Sequence, residues 1–194
     1  MERTSVQKLA RVLRVLVIIT FVCNLIVLFL VPGLVGIWAE GGVIAFSGLN
    51  PFVERSALRL AALFLAACIQ FLWRIWRYGE GCIVLTLFLW VCGICTAIIL
   101  WQGKRVLDTI LKGDPFVPDN AKSLKQAAVC CFVISGAALV RLIWGFVTYR
   151  SILPLLSYNA LFVPIFLMAG LLCMVMSALF RQAAEIKAEN DLTI

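Results

Sequence analysis

Cys92 and Cys95 are the first residues here whose type and spacing suggest chemistry. A C-x-x-C pair on one helix face holds two thiols together, and such a dithiol can exchange with a quinone or a partner disulfide when a neighbouring charge favours the thiolate. No charged residue stands beside this pair, which falls in the middle of an apolar stretch. Nor does the long segment before it hold a second cysteine pair to pass electrons on. The remaining cysteines, Cys23, Cys68, Cys82, Cys130, Cys131 and Cys173, also sit mostly in apolar sequence, which excludes an extracellular disulfide framework. Small thiols packed at a helix contact account for all of this. Histidine is absent, which removes His-ligated metals and haems, Ser–His and Cys–His nucleophile pairs and imidazole relays. No catalytic residue, cofactor or metal is expected, and the chain reads as a non-enzyme.

Polar residues within apolar stretches are the next candidates, because each is expensive in lipid. Asn24 and Ser135 fall near the middle of their stretches, level with Cys92, so all three are expected at one depth. Hydrogen bonds between helices are their ordinary use, with a substrate site as the rival. Arg141 is the costliest residue, placed some six residues (~9 Å) from the end of its stretch. There it can snorkel or pair with Glu40, Glu54 or Glu80.

Those residues require membrane helices to position them. Of the 194 residues, 63% are hydrophobic and 14% charged, and four stretches, 15–35, 82–101, 127–147 and 160–180, hold Arg141 as their one charged residue. Each runs to about 20 residues, long enough for a bilayer core of ~30 Å. The fold class is therefore all-α, an integral membrane bundle of four transmembrane helices in one domain, 1–194. A shorter apolar stretch, 60–73, carries Gln70 and lies between Arg59 and Arg74 in the segment 36–81, and suits an interfacial or re-entrant helix better than a span. The residues Ile37, Trp38 and Ala39 make a poor leader-cleavage site, so the first stretch is expected to stay as a span.

Charge sets orientation. With four spans and the N-terminus inside, the cytoplasmic segments carry Arg3, Lys8, Arg11, Arg14, Lys104, Arg105, Lys112, Lys122, Lys125, Arg181 and Lys187, and the outer ones Arg55, Arg59, Arg74, Arg77 and Arg150. That division obeys the positive-inside rule far better than a five-span alternative. The net charge of +7 is thus topology, not a nucleic-acid stripe. Val6, Leu9, Ala10 and Leu13 recur at helical spacing ahead of the first span as an amphipathic lead-in, with Lys8, Arg11 and Arg14 on other faces.

The connection 102–126 reads as a rigid helical hairpin. Val106, Leu107, Ile110 and Leu111 continue an apolar face beyond the second span, and Lys104, Asp108 and Lys112 form a charged i, i+4 ladder. Gly113 caps this helix, Pro115 and Pro118 stop it, and Asp119 caps the next. At the far end Arg181, Glu185 and Glu189 recur along an extension of the last span.

Gly113, Asp114, Pro115, Phe116 and Asn120 resemble the G-x-P-F…E-N motif of a family of small bacterial membrane proteins, the domain of unknown function 2975. Phe180, Glu185, Glu189, Asp191, Thr193 and Ile194 match the way that family ends its chain, and the resemblance covers residues 82–194. Asp119, Ala183 and Lys187 depart from the usual Glu, Gly and Gln. The resemblance implies four spans with both termini inside, and a neighbouring gene for a small helix-turn-helix regulator. It implies no biochemical activity. Hairpin and tail together are expected to bind a cytosolic protein, with the bilayer as the other partner, no direct nucleic acid, and self-association left open. A small transporter or permeability factor is the alternative, and a thiol oxidoreductase comes third.

Overall fold

The computed structural model describes residues 2–39, 69, 80–113, 116–150 and 158–192. Four helices account for nearly all of them: α1 (Glu2–Ala39), α2 (Glu80–Leu111), α3 (Pro118–Tyr149) and α4 (Tyr158–Leu192). No strand occurs among the described residues. All four are long and apolar enough to cross a membrane, so the protein is a multi-pass membrane protein. Lengths of 38, 32, 32 and 35 residues correspond to ~50 Å each, so every helix outruns the ~30 Å hydrocarbon core. The shorter stretch 60–73 lies outside the described residues except for Ile69, as does nearly all of the segment between α1 and α2.

The chain divides into two compact units, residues 25–93 and residues 1–24 with 94–194. In the first, Val31 and Val35 of α1 are buried, and Cys82, Leu85 and Leu89 of α2 pack on them. Gly93 allows a close approach, since a Cβ there would stand 2.7 Å from Leu28 Cδ1. Thr86, almost wholly buried, donates to the carbonyl of Cys82, which satisfies its hydroxyl within its own helix. Pro32 lies inside α1 without ending it.

In the second unit α3 is the most buried of the spanning helices and α4 the least. Its inward face is built from small and medium residues, Ala121, Ala127, Ala128, Cys130, Cys131, Ile134 and Ala138. Small side chains let backbones approach where lipid tails offer no hydrophobic drive to associate. Gly170 of α4 shows the consequence, for a Cβ there would meet Phe132 Cε1 at 2.8 Å. The Ser177 hydroxyl donates to the carbonyl of Ala121 at 2.7 Å, fixing the register of α4 on α3. Large apolar side chains such as Leu161, Met168, Leu172 and Val175 face outward because the bilayer is their solvent.

Two local expectations need correcting. Pro118 starts α3 instead of stopping the preceding helix: its fixed φ suits the first helical position and its missing N–H would be unpaired there anyway. The cap residue is then Val117, whose side chain makes no capping bond, and Asp119 belongs to the first turn. The Lys104–Asp108–Lys112 ladder gives way to contacts with neighbours: Asp108 Oδ1 lies 2.8 Å from Arg14 Nε on α1, and Lys104 sits 5.2 Å from the Trp101 ring centroid. The lead-in forms the first turns of α1, with Ala10 buried and Leu9 and Leu13 exposed where lipid can cover them. Gly113 behaves as expected, with φ +85° and its N–H donating to Ile110.

Candidate docking site at the turn end

One end of the second unit gathers the start of α1, the turn between α2 and α3, and the extension of α4. Polar side chains brace it. Arg14 ties α1 to α2 through Asp108, and Gln102 of α2 donates from its amide to Gln126 of α3. Asn120 Nδ2 donates to Thr109 Oγ1 at 2.7 Å, while that hydroxyl donates onward to the carbonyl of Val106. Arg105 approaches Asp119 at 3.9 Å, a weak, exposed pairing. Each bond crosses from one helix to the next or closes a helix turn, so the connection between α2 and α3 is held from both sides.

Phe116 stands on that braced turn. Its ring lies 5.9 Å from the ring of Phe180 at an interplanar angle of 44°, a tilted aromatic pair, yet 46% of the residue remains exposed. The turn and the extension of α4, which resembled separate family motifs in the sequence, therefore meet at this pair. Beyond it α4 stays helical to Leu192, with Arg181 and Glu185 paired at 2.9 Å and both exposed, Glu189 exposed, and Asp191 in the last turn. Asn120 differs from its neighbours in the motif. At 1% exposure it braces the hairpin from inside and presents nothing to a partner. Asp114, Pro115, Thr193 and Ile194 lie outside the described residues.

Between α3 and α4 an open groove of about 770 Å³ runs from Ala188 down to Met174, floored by Ala121, Ala178 and Ala184 and edged by Lys122, Lys125, Arg181 and Glu185. Sequence reasoning counted these cations for orientation only. The available signal was the spacing of Lys122 and Lys125 three apart on the face that also carries Pro118 and Ala121.

Of the intramembrane candidates, Asn24 lies on α1 and Ser135 and Arg141 on α3. The Ser135 hydroxyl donates to the carbonyl of Val163 on α4 at 2.9 Å, one residue before Pro164, so its bonding is spent on helix packing. Asn24 is half-buried, and its side-chain oxygen accepts no hydrogen bond from the described residues. Arg141 is half-buried on α3. Glu40 and Glu54, two of its expected partners, lie outside the described residues. Among the cysteines, Cys95 faces Cys130 of α3, and Cys131 faces Cys173 of α4. Cysteines are thus shared across helices as small contacts, and all the described ones are free thiols. Among the described residues no group of His, Cys, Asp or Glu could hold a metal ion.

The family model for the protein of unknown function DUF2975 matches residues 52–194, and the chain belongs to that family. No curated protein matches, and no solved structure matches.

Proposed function

We propose that this DUF2975 member is a non-enzymatic docking protein of the bacterial cytoplasmic membrane, whose turn end lies in the cytosol and binds a protein partner through Phe116 and the extension of α4. The observation that carries the reading is the Phe116–Phe180 pair: an aromatic side chain half exposed on a turn braced by Asn120–Thr109 and capped by Gly113. A pre-ordered apolar anchor loses little entropy on binding, which is what interface hot spots require. Glu185, Glu189 and Ile186, all exposed on the extension, supply the surrounding mixed surface. The excess of Lys and Arg at this end supports its cytosolic side. A small helix-turn-helix regulator is the partner class that the family resemblance suggests.

Phe116→Ala in the full chain tests this. Cytosolic proteins retained by the wild type and the variant in mild detergent are compared quantitatively, alongside both melting temperatures. A single protein kept by the wild type and lost by a folded variant supports docking, and equal retention refutes it.

A further inference from the structure

We propose that the groove between α3 and α4 holds an anionic phospholipid, its phosphate among Lys122, Lys125 and Arg181 and its acyl chains on the apolar faces below. The inference is independent of the docking reading.

Charge, depth and continuity point the same way. Three cations edge the groove against the one carboxylate of Glu185, which is engaged with Arg181 at 2.9 Å. Lys122 lies 3.5 Å from Asp119, whereas Lys125 has no ion pair among the described residues. The site therefore keeps positive charge that a single phosphodiester would neutralise, and Lys and Arg at helix ends are the usual ligands of lipid headgroups.

Depth is marked on a different helix. Trp101 of α2 is exposed and Lys104 lies over its ring, the arrangement of an aromatic belt with a snorkelling lysine at the lipid–water boundary. The Gln102–Gln126 bond sets that level on α3, one residue from Lys125. Lys125 thus sits at the boundary and Lys122 about one turn above it, where phosphates lie, while Arg181, a turn beyond the Ser177–Ala121 contact, closes the groove from the water side.

Continuity separates a lipid from a free anion. Helical spacing from Lys125 leads down α3 to Val129 and Val133, and from Arg181 down α4 through Met174 to Leu171, all of them exposed. An acyl chain can lie along these faces. A soluble phosphate compound has no use for them.

The test uses the full chain in a neutral detergent, with short-chain phosphatidylglycerol, phosphatidylcholine or glycerol phosphate added separately. Melting temperature and lipid adducts retained in native mass spectrometry are the two readouts. Phosphatidylglycerol is expected to raise the melting temperature and persist as an adduct where phosphatidylcholine does neither. Each lysine-to-glutamine change should weaken that preference about fivefold. K122Q/K125Q should therefore lose it nearly completely, while Lys112→Gln, on the turn and outside the groove, keeps it. If the double variant does not fold, Lys125→Gln alone is scored for the single-step loss. Equal stabilisation by both lipids overturns the proposal, as does equal stabilisation by glycerol phosphate, which would mark a small-anion site. An unchanged preference in the lysine variants also overturns it.

Discussion

The bond from Asn120 to Thr109 makes the bracing of the turn measurable. Thr109→Val keeps the shape but removes the acceptor, leaving one amide N–H of a residue that is 1% exposed without its partner. That is expected to cost about 1–2 kcal/mol, the penalty for a buried donor left unpaired. Asn120→Ala removes the donor and opens a small void, and should cost about 2 kcal/mol, half from the bond and half from lost packing. Thr109 suffers less in that variant, since its hydroxyl still donates to the carbonyl of Val106 at 2.7 Å. Once either partner is gone the second change has less to lose, so the double variant should be less destabilised than the sum by about 1 kcal/mol. Reversible unfolding of the detergent-solubilised chain in a denaturing-detergent titration gives all four free energies. A coupling energy indistinguishable from zero would refute the brace.

Gly170→Leu should destabilise by about 2–3 kcal/mol, because the added Cβ would meet Phe132 ring atoms at 2.8, 3.0 and 3.1 Å; an unchanged melting temperature would mean that α4 can draw back from α3 freely. Cys92→Ser and Cys95→Ser should each fold with less than about 1 kcal/mol of change, as expected of packing contacts. Quinone should leave both thiols reduced, and a Cys92–Cys95 disulfide that turns over with quinone, detected by thiol-trapping mass spectrometry, would restore the redox reading. Lys122→Cys and Glu189→Cys should react with membrane-impermeant reagents only from the cytosolic side, and Thr148→Cys only from the outer side; the reverse pattern would invert the proposed orientation.

Span number and helical class were legible because hydropathy over about 20 residues is what the bilayer selects. The continuation of α2 to Leu111 was also readable, from Val106, Leu107 and Ile110 keeping the helical period past the boundary. Which neighbour each face meets was not. In lipid an outward Leu and an inward Leu have the same hydropathy, so an interhelical hydrogen bond was legible for Ser135 but not its acceptor, the Val163 carbonyl, nor the turn of Cys95 toward Cys130. The charged ladder failed similarly: an i, i+4 rule knows nothing of Arg14 arriving from another helix. Pro118 was misread because one residue type both ends helices and begins them, and the preceding turn decides which. The groove stayed hidden because it needs residues about 55 positions apart, Ala121 and Ser177 in contact, to bring Lys122 and Arg181 to one edge.

The unbroken course of α4 has a mechanical consequence. From Pro164 to Leu192 the helix runs without another proline, a cantilever ~42 Å long whose root is in the bilayer and whose tip is in water. Transmembrane helices tilt to match bilayer thickness, and a change of about 10° at the root sweeps such a tip through ~7 Å. Because Ser177 bonds to Ala121 and Phe180 meets Phe116, a tilt of α4 would carry α3 and the turn with it, so that the whole turn end swings as one lever.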